Sequence, residues 1–302
     1  MAHTALWATR GTKEDMPTTY TPLRYPGGKS GVYPFVKTLT EAAGLGGATY
    51  TEPFAGGAGL AIKLLLKNDV ESIHLNDMDP AIYFFWESVI HRTSEICSKI
   101  ENVDISIPEW HRQRSIFKGD VDASDLELGF ATLFLNRTNV SGVLKGGVIG
   151  GVNQSGPSKM NARFNKAGLI KKIQTISRYR SRIRLTCEDA VDMLRKEDIA
   201  DTAFLNVDPP YVKQGPALYR SFFAEKHHTD LHKVLTTLDR PWILTYDDTP
   251  FIRELYSDHT ADLLPISYSI GRTRKTNEVV FFSDRLSILI KEGERHARKT
   301  GD

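Results

Sequence analysis

A doubly wound, mostly parallel α/β sheet interrupted by a helical insertion is the fold class predicted by three features of the sequence. Tyr50 to Phe54 and Ser72 to Asp77 read as strands, and apolar runs of strand length recur at Ala203 to Val207, Trp242 to Thr245 and Val279 to Phe282. Helical patterns follow the first two, and strands alternating with helices point to a parallel sheet. Between Ile105 and Leu185 that rhythm is lost and helical periodicity dominates.

The elements follow in order. Met1 to Thr19 lack periodicity and the stretch from Lys291 to Asp302 is charged, so residues 1–19 and 291–302 are expected to be flexible tails. Tyr50 to Phe54 runs into glycines and Leu60 to Leu66 continues as a helix. Pro80 suits the first turn of a helix, after which Ile82, Phe85, Trp86, Val89 and Ile90 share one face and need only a core to explain them. Ser124 and Glu127 make a capping box for a helix running to about Asn136. Asn139 to Lys159 holds six glycines among Asn, Gln and Ser, which reads as a loop. Gly168 to Ile183 returns to a helical pattern, with Ile173 and Ile176 inward. The sheet domain is therefore assigned to residues 20–104 and 186–290, on either side of an inserted helical subdomain at 105–185.

Composition excludes several classes. The chain of 302 residues is 40% hydrophobic and 25% charged, close to globular averages and unlike a disordered protein. No apolar run approaches the roughly 18 residues of a membrane span, and the start lacks a basic and apolar leader, so a cytoplasmic protein away from membranes is expected. Cys97 and Cys187 are read as reduced thiols, and neither has the close Cys and His neighbours of a zinc site. The net charge of +2 hides a strong asymmetry: Leu128 to Cys187 contains no Asp or Glu but eleven Lys and Arg, leaving −9 for the rest. Sixty residues of one sign are the footprint expected of a surface that neutralises phosphates, the alternative being a solvated basic face.

Three motifs carry chemistry. Glu52-Pro53-Phe54-Ala55-Gly56-Gly57-Ala58-Gly59 is a strand end followed by a glycine turn, where open α/β sheets place a ligand. A dinucleotide fingerprint is disfavoured because the third glycine is missing. About twenty residues on, Asp77 closes the second strand and can accept hydrogen bonds from ribose hydroxyls, while Asp79 suits a cap for the helix at Pro80. The third motif is Asp208-Pro209-Pro210-Tyr211 after the strand Ala203 to Val207. Two prolines stiffen the turn and remove two donors, leaving the Asp208 carboxylate and the Pro209 carbonyl to accept from one amine. An amine on an aromatic ring is a poor nucleophile, and accepting both its N–H bonds frees its lone pair. Tyr211 offers a flat face for the base.

With these motifs in this order, the sequence resembles the Dam-like class of DNA adenine methyltransferases from about Pro22 to Ser283. The resemblance implies a Rossmann-like methyltransferase fold with an inserted target-recognition subdomain. It matches Arg24-Tyr25-Pro26-Gly27-Gly28-Lys29 to an amino-terminal cofactor motif, and Asp189 to a position lining the cofactor adenine. Cofactor contacts are thus expected from Tyr25, Gly27, Gly28, Lys29, Glu52, Pro53, Phe54, Gly56, Gly57, Gly59, Asp77, Asp189 and Asp208. The catalytic set is expected to be Asp208, Pro209, Pro210 and Tyr211. The implied reaction is methyl transfer from S-adenosylmethionine to N6 of an adenine flipped out of double-stranded DNA, with no metal required.

DNA contacts are expected in the insertion, at Arg137, Asn139, Lys145, Arg163, Asn165, Lys171 and Lys172, within the stretches Asn136 to Thr138 and Asn161 to Asn165. Arg272, Arg274 and Lys275 can add to that surface or form a solvated turn. A companion restriction endonuclease fits the resemblance, and a monomer or weak dimer is expected. The residues alone also admit transfer to another planar amine, namely RNA adenine, cytosine N4 or a glutamine side chain, and a silent nucleic-acid-binding module of the same fold.

Overall fold

The computed structural model describes residues 19–24, 32–196, 202–212, 223–270 and 272–300. Tyr25, Gly27, Gly28 and Lys29 lie outside the described residues, as does nearly all of the expected amino-terminal tail.

Seven strands form one sheet: β1 (Thr49–Glu52), β2 (Ser72–Asn76), β3 (Ile183–Thr186), β4 (Phe204–Val207), β5 (Trp242–Asp247), β6 (Thr260–Ile270) and β7 (Arg272–Phe282). Their order is β3-β2-β1-β4-β5-β7-β6, parallel except for β7, which runs antiparallel to both β5 and β6. Every residue of β4 and nearly every residue of β5 is buried, as parallel strands covered on both faces require. The order reverses between β1 and β4, and the crevice at the carboxyl ends of those two strands is where such sheets bind ligands.

Helix α1 (Tyr33–Ala42) precedes β1, and α2 (Gly59–Leu66) follows it. The next helix, α3 (Pro80–His91), begins where expected, with the Asp79 carboxylate accepting from the Ala81 amide at 3.0 Å. After α4 (Thr93–Asn102) and α5 (Ile107–Lys118) comes α6 (Asp125–Thr138), which carries both halves of the Ser124 and Glu127 capping box. Helix α6 is buried almost all round because α3 and α5 clasp it. Gly129 permits the closest approach, since a Cβ there would sit 2.5 Å from the Phe84 carbonyl oxygen on α3. Phe130 and Phe134 of α6 and Ile173 of α7 (Lys166–Ser177) share one buried cluster with Leu64, Ile73 and Phe85, so the insertion packs into the core of the sheet domain.

Two sequence expectations are corrected. The helix expected over Gly168 to Ile183 stops at Ser177, and Ile183 opens β3, paired with Ile73 of β2. The Arg182 guanidinium draws the chain onto that sheet edge by donating to the Val70 and Glu71 carbonyls and to Asn68 Oδ1. At the other end the charged stretch expected to be a loose tail continues the helix Asp284–Thr300. Leu286 and Ile290 bury in the core, and the Lys, Glu, Arg and Ala residues beyond them are strong helix formers that extend it. Among the described residues no helix is long and apolar enough to cross a membrane.

Candidate active site

The turn after β1 is braced from beneath. The Ala55 amide donates to the Asn76 carbonyl at 2.8 Å, and the Gly56 amide to Asp77 Oδ2 at 2.8 Å. Trp86 Nε1 donates to the Gly56 carbonyl at 2.9 Å. Gly56 and Ala58 both take left-handed backbone, at φ 46° and 44°, and α2 starts at once after Ala58. For alanine this conformation costs about 1–2 kcal/mol, a strain that concentrates where turns grip ligands.

Asp77 also accepts from the Asp79 amide at 3.0 Å, so its carboxylate is a structural brace as well as a candidate ligand. Burial pushes its pKa up to about 6, and the two amides pull it back. Its neighbour Asn76 escaped sequence reasoning. The Asn76 side chain donates to the Pro53 and Glu188 carbonyls at 2.9 and 3.0 Å, and accepts from Thr186 Oγ1 and the Glu188 amide at 2.8 and 3.1 Å. One buried amide thereby sutures the ends of β1, β2 and β3. Asp189 stands just beyond, its Oδ1 accepting from the Val191 and Asp192 amides at the start of α8 (Ala190–Arg195).

The turn Asp208 to Tyr211 leaves β4 beside the glycine turn. Asp208 Oδ1 accepts from the Thr245 hydroxyl at 2.7 Å and from the Tyr211 hydroxyl at 3.1 Å. The Val212 amide donates to Asp247 Oδ1 at 3.1 Å, so β5 fixes both ends of the turn. Tyr211 does not present the open face expected of it: its ring packs on Tyr246, with centroids 6.2 Å apart, and it is 9% exposed. Behind it the Tyr246 hydroxyl lies 2.7 Å from His228 Nδ1, and burial lowers the His228 pKa to about 4. Phe223 meets His228 edge-on and Phe54 likewise, which links the two turns through a layer of aromatic rings.

Glu52 faces the same region from β1. It is 5% exposed, and its pKa is pushed up to about 8, first by burial and then by the negative charge of Asp208. At neutral pH Glu52 therefore carries a proton. Its carboxyl group and that of Asp208 meet across the point where the strand order reverses.

The residues expected at DNA divide into two groups. Asn139 is fully buried and spends its amide internally, accepting from Trp110 Nε1 at 2.7 Å and donating to the Val143 and Leu144 carbonyls. Arg137 donates to the Pro22 carbonyl, and Lys172 to Thr19 Oγ1 at 2.8 Å. Burial, followed by a neighbouring cation, lowers their pKa values to about 10 and about 8. Arg137 and Asn139 are taken inward by α6, whereas Lys172, half-buried on α7, spends its amine on the segment that leads to Pro22. Lys145, Arg163, Asn165 and Lys171 are exposed, with Asn165 capping α7 through the Gly168 amide. Asn136 and Thr138 are buried as well.

Asn136 has its own task. It accepts from the Arg24 amide and donates to the Arg24 carbonyl, both at 2.7 Å, gripping the residue that leads into the glycine motif at 25–29. Arg24 was not among the expected DNA contacts. Among the described residues its Nη1 is buried without a hydrogen-bond partner, and its pKa is lowered by burial and then by Arg163. The basic character of the block could have drawn attention to it only if residue 24 were known to lie beside residue 163.

No curated protein matches the chain. Residues 25–270 match the family of D12 class N6 adenine-specific DNA methyltransferases, a span that takes in the glycine turn, residues 105–185 and Asp208 to Tyr211. With the sheet order, the braced turn and the Asp208 cluster in place, the chain belongs to the D12 class of N6 adenine-specific DNA methyltransferases, and it methylates adenine N6 in DNA.

Proposed function

We propose that the methyl donor is S-adenosylmethionine, held by the turn Ala55 to Gly59, and that the target adenine reaches it flipped out of duplex DNA. The observation that carries this reading is the meeting of the braced turn after β1 and Asp208 after β4 on either side of the reversal in strand order. The residues fit such a donor. The strained turn at Ala58 offers backbone at close range, and Asp77 carries acceptor oxygens beside it for ribose hydroxyls. Tyr25, Gly27, Gly28 and Lys29 would complete the cradle, fed from Arg24 in the grip of Asn136.

The protein's work is positioning and polarisation. The Asp208 carboxylate and the Pro209 carbonyl accept the two N6 hydrogens, and the Thr245 hydroxyl holds the carboxylate plane so that no reorganisation is needed. Tyr211, held on Tyr246 with its hydroxyl on Asp208, walls the side of the site against which the base lies. When bound, the sulfonium donor would supply the methyl group and leave as a neutral thioether, with the proton from N6 passing to solvent, while Asp208 and Pro209 hold the amine in place.

Flipping needs phosphates held beside the target. Lys145, Arg163 and Lys171 are assigned to that surface, with Arg24 at its inner edge. The hairpin of β6 and β7 joins them. Asp247, the last residue of β5, pairs with Glu278, so the tip carrying positions 272, 274 and 275 extends past the carboxyl end of β5 on the side of the site.

Calorimetric titration with S-adenosylmethionine in the absence of DNA tests the donor assignment. One site is expected in the parent protein, weakened by about 1.5–3 kcal/mol in Asp77→Ala through loss of charged-acceptor bonds. No binding by the parent rejects the donor, and unchanged affinity in the variant moves the ribose contact off Asp77.

A further inference from the structure

At the opposite end of the sheet, near the start of β5, a second cluster lies apart from the active site. His232 stands on the helix Glu225–Thr237, and Asp258 and His259 form the turn that leads into β6. One ligand atom from each of the three lies within 4.8 Å of the others. The Nε2 atoms of His232 and His259 are 3.9 and 3.8 Å from Asp258 Oδ1. Those distances are too long for hydrogen bonds. They are within small side-chain rotations of the spacing around a tetrahedral ion, whose ligands at about 2.0–2.2 Å stand roughly 3.3 Å apart.

A second observation points to a ligand. The His259 side chain is 8% exposed, and among the described residues neither of its ring nitrogens has a hydrogen-bond partner. Buried polar groups are almost always satisfied, so a ring with both nitrogens unmet calls for a partner that the described residues do not supply. His232 Nε2 has only the Thr236 hydroxyl at 3.3 Å, a long contact that an ion can displace. Trp242 packs edge-on against His259 and Tyr256 against His232, giving the cluster two apolar walls. The Asp258 side chain is 60% exposed and leaves the third side open to solvent.

We propose that His232, Asp258 and His259 form a binding site for a divalent transition metal of the zinc class, with water as the fourth ligand. Two imidazoles and one carboxylate suit zinc and disfavour magnesium or calcium, which take oxygen ligands. Such an ion ties the helix Glu225–Thr237 to the start of β6 and so stiffens the flank of β5, the strand that carries Thr245 and Asp247.

The test uses full-length, untagged protein stripped with a chelator and titrated with zinc alone by calorimetry, with cobalt as a spectroscopic probe. One saturable equivalent is expected, with visible cobalt absorption of a four-coordinate nitrogen and oxygen site and a rise in Tm on adding zinc. Asp258→Asn and His232→Ala should each weaken zinc binding by about tenfold or more. Asp258 is exposed, so its variant folds regardless, and His111→Ala, an exposed histidine elsewhere, should leave binding unchanged. Absence of a saturable equivalent in the parent overturns the proposal, as does binding that is unaltered in both site variants.

Discussion

The Thr245 hydroxyl on β5 donates to Asp208 Oδ1 on the neighbouring turn at 2.7 Å. Thr245 is 2% exposed, so this bond is made away from water and fixes the carboxylate before any substrate arrives. Removing the hydroxyl in Thr245→Val should lower the single-turnover rate by about ten- to a hundredfold, since one preorganised interaction contributes on that scale. Donor affinity should stay within about twofold, and Thr245→Ser should restore the rate. A parallel loss of rate and donor binding would make Thr245 a packing residue only.

Glu52 gives the protein a stability that depends on pH. Its folded pKa of about 8 stands above the ordinary carboxylate value, so the folded state holds a proton that the unfolded state releases. The contribution is complete below about pH 4, the unfolded value, and is lost as pH rises through about 8. Urea unfolding of the parent should therefore show a decline from pH 5 to 9 that Glu52→Gln lacks, by roughly 2–4 kcal/mol across the range. Superimposable pH profiles would show that Glu52 does not titrate in this way.

The basic insertion should separate into two behaviours under mutation. Arg163→Ala and Lys171→Ala remove exposed cations, so each should weaken DNA binding and reduce the dependence of log affinity on log salt by about one. Arg137→Ala instead abandons the Pro22 carbonyl and should cost about 1–3 kcal/mol of stability. Equilibrium binding at several salt concentrations, beside thermal unfolding, measures both. Equal salt slopes in all three variants would contradict the division.

The fold was legible where local chemistry decides it. The capping box at Ser124, the proline at position 80 and the apolar run from Phe204 to Val207 each mark an element by themselves. The glycine turn after β1 and the turn Asp208 to Tyr211 after β4 were legible as turns at strand ends, because their residues are contiguous in the chain. What stayed hidden depends on contacts distant in sequence. Asn139 and Arg137 read as polar residues in a basic stretch, yet α6 is buried on nearly every side and takes both inward. Asn76, Thr245 and Asn136 matter through partners about 23 to 112 residues away, which spacing alone does not disclose. The terminal helix was missed because its charged composition resembles that of a solvated tail, while Leu286 and Ile290 anchor its first turns.

Identification of the methylated nucleoside tests the central claim most directly. Duplex DNA of mixed sequence is incubated with S-adenosylmethionine carrying a labelled methyl group, digested to nucleosides and resolved by mass spectrometry, for the parent and for Asp208→Ala. The parent should place the label on N6 of adenine. The variant, which keeps the braced turn at Gly56 and so should bind the donor within a few-fold, should be slower by about a hundredfold or more. Label on cytosine, or a variant within a few-fold of the parent rate, would contradict the role given to Asp208.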